Sequence, residues 1–222
     1  MIELNNIIHA DCMDIMSDIP DKYFELAIVD PPYGINYSES CGKNSGQHYG
    51  KAAYPKSNYA VKIWDAMIPD KIYFDEIFRI SKNQIIWGAN NFSLYLPFST
   101  GWIFWDKDNS TSNFSDGELA FSSFNKGLRK IKITWNGMLQ ENMKNKDIRI
   151  HPTQKPVALY RWLLQNYAKP GDKIIDTHSG SGSCAIACHL EKFDFLAIEK
   201  DKDYYEASVK RLDEVRAQGV LF

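Results

Sequence analysis

Short apolar runs alternate with amphipathic helical patterns along most of this sequence. The apolar runs have the lengths of β-strands and are bounded by Gly, Pro and Asp residues. They lie at 24–29, 84–88, 102–105, 173–176 and 193–198. Helical periodicity is clearest at 156–168 and 203–217. This alternation predicts an α/β fold, in which helical crossovers connect the strands of a sheet.

The length of 222 residues suits one domain, 1–222, with a modest insertion. Residues 34–62 are rich in Gly, Ser, Asn, Tyr and Lys and show little periodicity, so we expect a mobile loop there. Residues 106–150 contain polar turns and two further strand patterns, at 119–124 and 130–135. We interpret this segment as an insertion at the edge of the sheet and not as a separate domain.

The charges are unevenly distributed, although the net charge is only −2. Residues 1–33 hold one Lys against seven acidic residues, whereas residues 126–161 hold nine Lys and Arg residues against two acidic ones. A nearly neutral protein can therefore still present one basic face. The composition, 44% hydrophobic and 24% charged, is that of a chain able to bury a core.

The segment Asp30-Pro31-Pro32-Tyr33 directly follows the apolar run at 24–29. The two prolines fix the backbone and have no N–H donor, so together with the Asp30 carboxylate they form a rigid, acceptor-rich corner. Such a corner suits a planar amino group with two N–H donors, and Tyr33 can stack on the attached ring. A plain strand end with a Pro-Pro turn is the structural alternative.

A Gly-rich turn, from Asp176 to Ser183, follows the apolar run at 173–176 and precedes a segment of small residues. Its glycines let the backbone approach a ligand closely. Glu199 stands at the end of the next apolar run, where an acidic residue can bind the two hydroxyls of a ribose. This order of elements favours a cofactor that contains a nucleoside. The sequence has no Gly-x-x-x-x-Gly-Lys run of the kind that binds ATP phosphates.

The sequence favours neither a metal site nor a membrane segment. Cys184, Cys188 and His189 have a spacing that metals can use, but we expect them in a small-residue helix packed on the sheet. The uncharged stretch 83–105 is interrupted by Gly, Asn and Pro, so two strands joined by a loop explain it better than a membrane helix. Because no secretory signal is visible at the N-terminus, we expect a cytoplasmic protein.

Three motifs together resemble the permuted, β-class amino-group DNA methyltransferases. They are Asp30 to Tyr33, the segment His151-Pro152-Thr153-Gln154-Lys155-Pro156 and the turn 176–183, and their order covers nearly the whole chain. The Asp-Pro-Pro-Tyr form is similar to that of the adenine-N6 enzymes, whereas cytosine-N4 enzymes more often begin this motif with Ser. The small size and the segment 102–107 resemble phage or prophage members. The resemblance implies a Rossmann-like, seven-stranded sheet that binds S-adenosylmethionine and carries the small basic insertion.

The resemblance also implies roles for individual residues, with Asp30, Pro31, Pro32 and Tyr33 as the catalytic ones. Asp11 would contact the adenine of the cofactor, and Glu199 would hold its ribose. Thr153 and Lys155 would close over the amino-acid end of the cofactor. The implied cofactor contacts are, in full, Asp11, Cys12, Asp30, Thr153, Lys155, Asp176, Thr177, Ser179, Gly180, Ser181, Gly182, Ser183 and Glu199.

The pair Thr177-His178 departs from the family pattern, which usually has Pro-Phe at these positions. The exchange alters the shape of the turn and one apolar contact to the cofactor. A reduced affinity for the cofactor is therefore expected.

The implied reaction is a direct methyl transfer to the amino group of adenine. Acceptance of both N–H hydrogens, by the Asp30 carboxylate and the Pro31 carbonyl, would direct the nitrogen lone pair toward the sulfonium methyl. The adenine must first be flipped out of double-stranded DNA, and Tyr33 is the expected stacking surface. We expect residues 106–150 to recognise the target site. The predicted phosphate contacts are Lys126, Arg129, Lys130, Lys132, Lys144, Lys146 and Arg149.

Other functions stay open at this stage. The same chemistry can act on cytosine N4, an RNA base or a protein glutamine, although Asp30 disfavours cytosine and the basic insertion disfavours glutamine. A DNA-binding module that kept the fold and lost activity is an alternative from another class. A dinucleotide oxidoreductase is disfavoured because the Gly-rich turn comes late and lacks a third glycine. A cognate restriction nuclease and a homodimer are partners that the resemblance allows.

Overall fold

A computed structural model describes residues 2–35, 67–109, 115–136 and 139–219 of the chain. The helices in these ranges are α1 Cys12–Ser17, α2 Lys71–Ile80, α3 Val157–Tyr167, α4 Ser183–Glu191 and α5 Lys202–Gly219, with a short 3-10 turn at Ala89–Asn91. The strands are β1 Asn6–His9, β2 Phe24–Val29, β3 Ser81–Trp87, β4 Gly101–Asp106, β5 Gly117–Ser122, β6 Arg129–Lys132, β7 Trp135–Asn136, β8 Leu139–Gln140, β9 Lys173–Asp176 and β10 Asp194–Glu199.

Within the described ranges, eight strands form one sheet in the order β1-β10-β9-β2-β3-β5-β4-β6. The strands β1, β10, β9, β2 and β3 run parallel. The strand β5 is antiparallel to both β3 and β4, and β6 is parallel to β4. Because parallel neighbours need crossover connections, α1, α2 and α4 link successive parallel strands, as the alternating pattern predicts.

Both faces of the sheet are covered, which explains why the central strands are apolar along their whole length. In β2, Leu26 and Ile28 face a cluster that includes side chains of α3, α4 and α5. The alternate residues Ala27 and Val29 face a second cluster, which includes side chains of α1 and α2. The result is a three-layer α/β/α domain whose loops at the carboxyl ends of the strands carry the site.

The predicted Rossmann-like α/β fold is confirmed, and two details of it were wrong. The sheet has eight strands in the described ranges where the resemblance implies seven, because β6 adds to β4 at the edge. The segment 106–150 is also not confined to the edge, since β5 lies inside the sheet between β3 and β4. The antiparallel pairing of β5 with both neighbours allows the chain to return into the sheet. Most of the loop expected at 34–62 lies outside the described residues.

Local sequence sets the helix ends that border the site. Asp11 caps α1, because its Oδ1 accepts a hydrogen bond from the backbone N–H of Met13 at 3.0 Å. Gly182 precedes α4 with a φ of 72°, in the left-handed region that favours glycine. A Cβ at Gly182 would also lie 3.1 Å from the Cβ of Ser208. Both ends therefore fix loops that open toward the same side of the sheet.

Candidate active site

The strands β2 and β9 lie next to each other near the centre of the sheet, and the chain leaves them in opposite directions. From β2 it goes to β3 on one side, and from β9 it goes to β10 on the other. Open α/β sheets bind ligands at the carboxyl ends of such a strand pair. A cavity of about 680 Å³ opens there, a volume typical of sites for small molecules.

Most of the predicted cofactor residues line this cavity. They come from the start of α1, the end of β2, the loop before α3, the Gly-rich turn and the end of β10. They are Asp11, Cys12, Asp30, Thr153, Lys155, Thr177, Ser179, Gly180, Ser181 and Glu199. The other three, Asp176, Gly182 and Ser183, do not line the cavity. The Asp176 and Ser183 side chains instead accept hydrogen bonds that support the turn.

The Glu199 carboxylate holds the Gly-rich turn in place. Its Oε2 accepts a hydrogen bond from the backbone N–H of Gly180 at 2.7 Å, and its Oε1 accepts one from Asp201 at 2.8 Å. Burial raises the pKa of Glu199. Each carboxylate oxygen keeps a second lone pair, so the group can still accept hydrogen bonds from a ligand in the cavity.

Asp176 is buried at the end of β9 with only 4% of its surface exposed. Its Oδ1 accepts a hydrogen bond from the backbone N–H of His178 at 3.1 Å. Burial raises the pKa of Asp176 to about 8, with the nearby carboxylates of Asp30 and Glu199 adding to the shift. This carboxyl group therefore supports the turn and is not exposed to the cavity.

The unusual pair Thr177-His178 forms a hydrogen-bonded group with Tyr73 of α2. The Tyr73 hydroxyl lies 2.7 Å from Oγ1 of Thr177, which lies 3.0 Å from Nδ1 of His178. The His178 ring packs edge-on against the Tyr73 ring at 5.3 Å. Burial lowers the pKa of His178 to about 4, so the ring is neutral at pH 7. A neutral aromatic ring thus occupies the position where the family usually has Phe.

Asp11 has both carboxylate oxygens engaged at the rim of the cavity. Besides capping α1, it forms an ion pair with Lys200, whose Nζ lies 2.7 Å from Oδ2. Lys200 holds the pKa of Asp11 below its usual value. The neighbouring Cys12 thiol stays protonated, because burial raises its pKa to about 12.

Ser179 is a buried polar residue in the cavity wall. The residue is 6% exposed, and its Oγ has no hydrogen-bond partner among the described residues. A buried hydroxyl without a partner costs free energy, so such groups normally bind a ligand or an ordered water. Ser179 lines the cavity, while its Oγ atom is itself buried in the wall.

Asp30 also lines the cavity and takes part in a dense polar cluster. Its Oδ1 accepts a hydrogen bond from the Tyr33 hydroxyl at 2.6 Å, and its Oδ2 lies 2.6 Å from Nζ of Lys155. Burial raises the pKa of Asp30 and the Glu118 carboxylate raises it further, while Lys155 opposes the shift. The predicted corner of Asp30 and the prolines is therefore present, with Pro32 lining the cavity and Pro31 buried.

Lys155 lines the cavity and forms an ion pair with Asp30, so its predicted contact with the cofactor stays a prediction. Its side chain is 2% exposed and also forms an ion pair with Glu118 at 2.8 Å. Although burial lowers it, the two carboxylates raise the pKa of Lys155 above its usual value, so the ammonium stays charged. Thr153, its predicted companion, instead places Oγ1 3.1 Å from Nδ1 of His151.

Tyr33 does not line the cavity as an open stacking surface in this structure. Its ring packs on Gly88, where an added Cβ would lie 2.1 Å from the ring. Gly88 has a φ of 67° and follows β3, so glycine meets both a backbone and a space requirement. The hydroxyl of Tyr33 is anchored on Asp30 and lies 3.1 Å from Oε2 of Glu118.

Glu118 and Lys107 form the outer part of this cluster, and neither was predicted from the sequence as a site residue. The two side chains form an ion pair with each other across the β4–β5 strand pair. Neither belongs to a motif, and both lie in a segment interpreted as an insertion. An isolated acidic residue within the apolar strand pattern of β5 is the only local signal that could have marked Glu118.

The predicted DNA-binding residues lie on and near β6, and several already have acidic partners. Lys130 forms an ion pair with Asp106 at 2.7 Å, and Lys132 forms one with Asp108 at 2.8 Å. The two lysine side chains remain 61% and 56% exposed, so their ammonium groups can still reach a phosphate.

The remaining predicted contacts are spread over the insertion. The Lys126 ammonium donates to the carbonyl of Asn166 at 2.8 Å, and the Arg149 guanidinium lies 4.5 Å from the ring centre of Trp135. Arg129, Lys144 and Lys146 are exposed. These positions do not converge on the cavity, so their relation to DNA stays a prediction.

Two other kinds of site are absent from residues 2–35, 67–109, 115–136 and 139–219. No group of three or more His, Cys, Asp and Glu side chains there could hold a metal ion. In the same part of the chain, no helix is both long and apolar enough to cross a membrane.

Known proteins of similar sequence include bacterial Type II methyltransferases. M2.MboI of Moraxella bovis is 26% identical in an alignment of 248 positions, gaps included, that covers 95% of this chain and 88% of the relative. M.HinfI of Haemophilus influenzae is 24% identical, over 96% of this chain and 69% of the relative. Both matches therefore extend through all the motifs described above.

Solved structures of similar fold include DNA methyltransferases. A complex of M1.HpyAVI with S-adenosylmethionine matches 93% of this chain and 98% of its own, with a TM-score of 0.56 and 20% identity. The cytosine-N4-specific PvuII DNA methyltransferase matches 96% of this chain and 91% of its own, with a TM-score of 0.56 and 12% identity. At these identities the likeness shows the fold.

The sequence family described as DNA methylase, of the N6/N4 type, matches residues 62–210. This match covers more than half of the chain, from the segment before α2 into α5. It includes the loop of Lys155, the Gly-rich turn and Glu199. The chain therefore belongs to the N6/N4 DNA methylase family.

Proposed function

We propose that this DNA methylase is a site-specific adenine-N6 methyltransferase that takes its methyl group from S-adenosylmethionine. The observation that carries the proposal is the Asp30 carboxylate, which lines the cavity directly after β2 and is held by Lys155 at 2.6 Å. An ionised carboxylate only accepts hydrogen bonds, which suits an amino group with two N–H donors. The Type II names of the sequence relatives support action at a defined site.

The residues of the cavity fit S-adenosylmethionine. Glu199 offers acceptor lone pairs to a ribose diol, and Ser179 lines the same cavity. The carboxylates of Asp11 and Glu199 favour a positively charged ligand over a phosphate. When bound, the cofactor supplies the sulfonium methyl group that is transferred. M1.HpyAVI, which has a similar fold, was solved with this cofactor.

The chain's own residues then prepare the amino nitrogen for attack. Asp30 accepts one N–H of the adenine amino group, and the Pro31 carbonyl accepts the other. The nitrogen lone pair is thereby withdrawn from the ring and directed toward the methyl group. Lys155 and Tyr33 fix the two oxygens of Asp30 before the base arrives, so little reorganisation is needed during transfer.

We infer that the substrate is double-stranded DNA, from which the target adenine is flipped out. The exposed lysines of β6 and the loops of the insertion bind phosphates, and residues 106–150 contribute to site recognition. Tyr33 supports the flipped base beside Asp30 through its ring or its anchored hydroxyl. A cognate nuclease and a homodimer stay hypotheses from the family resemblance.

The test is to incubate the purified protein with S-adenosylmethionine and unmethylated plasmid DNA, and to analyse the nucleosides by mass spectrometry. The proposal predicts N6-methyladenine, and reactions without the protein are the control. N4-methylcytosine would contradict the choice of base while leaving the family unchanged. No methylated nucleoside, in a preparation that binds the cofactor, would contradict the proposed activity.

A further inference from the structure

Glu118 links the insertion to the catalytic corner. It lies on β5 opposite Trp105 of β4, and its side chain is 19% exposed. Its Oε2 lies 2.8 Å from the Lys155 ammonium and 3.1 Å from the Tyr33 hydroxyl oxygen. Its other oxygen, Oε1, pairs with Lys107. Glu118 therefore contacts both groups that hold Asp30.

The Lys155 ammonium lies between two carboxylates. Its Nζ is 2.6 Å from Asp30, 2.8 Å from Glu118 and 3.0 Å from the Tyr33 hydroxyl oxygen. An ammonium has three N–H donors, so these contacts use its full donor capacity. With 2% exposure, water cannot replace a lost partner easily. The position of Lys155 is thus defined by Glu118 as much as by Asp30.

The four charged groups also balance one another. Asp30 and Glu118 carry negative charges, and Lys155 and Lys107 carry positive ones. The indole rings of Trp87 and Trp105 lie beside these groups. Nζ of Lys155 is 5.5 Å from the ring centre of Trp87, and Nζ of Lys107 is 5.0 Å from that of Trp105. Charges beside such apolar rings interact more strongly than in water, so removal of one charge disturbs the others.

We infer that Glu118 is a positioning residue for methyl transfer. It holds the Lys155 ammonium and the Tyr33 hydroxyl so that the Asp30 carboxylate keeps one orientation toward the target amino group. This inference rests on the proposed function, because it concerns the base-binding end of the same cavity. Without the Glu118 charge, Lys155 is drawn toward Asp30 alone and competes with the substrate for its oxygen.

The first test is Glu118→Gln, which keeps the shape of the side chain and removes its charge. We expect kcat to fall about 10-fold to 100-fold, because the acceptor oxygen of Asp30 is misplaced. The dissociation constant of S-adenosylmethionine should change by no more than about twofold, because Glu118 does not line the cavity.

The pH profile of kcat separates positioning from a general loss of structure. The Glu118 carboxylate raises the pKa of Asp30, so its removal should move the acid limb to lower pH. Glu118→Asp keeps the charge on a shorter side chain, so its acid limb should stay at the wild-type pH and its kcat should be intermediate. The titratable and charged groups facing Asp30 are Tyr33, Tyr73, Glu118, Lys155, Tyr160 and Asp176.

Glu25→Gln is the matched control. Glu25 is also a strand glutamate, has a 24% exposed side chain and forms an ion pair with Lys82 at 2.9 Å, but it lies near the amino end of β2. This variant should keep the wild-type kcat and acid limb. The same assay on the wild type tests the proposed function separately, because an inactive wild type contradicts that function and not the role of Glu118.

Given an active wild type, a Glu118→Gln variant with wild-type kcat would overturn the inference. A slow variant whose acid limb does not move would also overturn it, because the loss would then be structural. If Glu118→Gln does not bind the cofactor, Glu118→Asp becomes the test variant. A kcat of Glu118→Asp equal to that of the wild type would then contradict the positioning role.

Discussion

The Nζ atom of Lys155 lies 2.6 Å from Oδ2 of Asp30, although 125 positions separate the two residues in the chain. Asp30 follows β2 and Lys155 precedes α3, so the contact joins two motifs that are far apart in the sequence. The ammonium is buried, and it also forms an ion pair with the Glu118 carboxylate. The geometry therefore joins Lys155 to the carboxylate of the Asp30 motif within one cavity.

The contact between Gly88 and Tyr33 gives a prediction about catalysis. In Gly88→Ala, the new Cβ would lie 2.1 Å from the Tyr33 ring, so the ring must move and its hydroxyl must leave Asp30. We expect the methyl-transfer rate to fall about 10-fold or more, measured in a single turnover with saturating cofactor. An unchanged rate would show that the Tyr33 position does not matter.

Gly171→Ala is the control for backbone strain in that experiment. Gly171 also has a positive φ, of 90°, but nothing lies within 4 Å of an added Cβ. Gly171→Ala should lose about 1–2 kcal/mol in the free energy of unfolding, because alanine is strained in this region, and Gly88→Ala should lose more because of the overlap with Tyr33. Only Gly88→Ala should lose the transfer rate as well.

The exposed lysines of β6 give a prediction about DNA binding. The double variant Lys130→Gln and Lys132→Gln should reduce the slope of log K against log salt by about 2, because each lysine releases about one counterion. The measurement is DNA affinity by fluorescence anisotropy at several salt concentrations. Lys82→Gln, on the amino-end side of β3, is the control. Equal slopes for double variant and wild type would place the DNA elsewhere.

Asp176 gives a prediction about stability and pH. Burial raises its pKa from 3.8 to about 8, so over this interval the folded state binds a proton that the unfolded state has released. Its stabilising contribution is complete below about pH 4 and is lost as the pH rises to about 8. Asp176→Asn cannot titrate and should therefore gain stability relative to the wild type between about pH 5 and pH 8. Urea unfolding of the variant and the wild type at about pH 5 and about pH 8 measures this gain. If the difference in unfolding free energy between the two proteins is the same at both pH values, the prediction is contradicted.

Much of the fold could be predicted from the sequence because the central strands are buried on both faces. The bounds expected for β2 and β9 match the structure, because Asp and Gly residues bound their apolar runs. Short elements such as β1 and α1 carry too few residues for a periodic pattern and were not predicted. The place of β5 inside the sheet depends on long-range pairing, which no local pattern shows.

The candidate site was predictable where a motif fixes the backbone. Asp30, the Gly-rich turn and Glu199 follow directly from strand ends, and all meet at one cavity. The position of Lys155 could not be predicted, since it depends on Glu118, a residue outside every motif. The hydrogen bond from the Tyr33 hydroxyl to Asp30 also depends on contacts between distant residues. The sequence indicated a free stacking surface at Tyr33 instead.

Asp30→Ala tests the central claim, that the Asp30 carboxylate prepares the amino nitrogen for methylation, most directly. The variant should fold, because Glu118 remains as a partner for the Lys155 ammonium. We expect single-turnover methyl transfer to fall about 1,000-fold while the dissociation constant of S-adenosylmethionine changes by less than about threefold. A variant that binds the cofactor and methylates DNA at the wild-type rate would contradict the account.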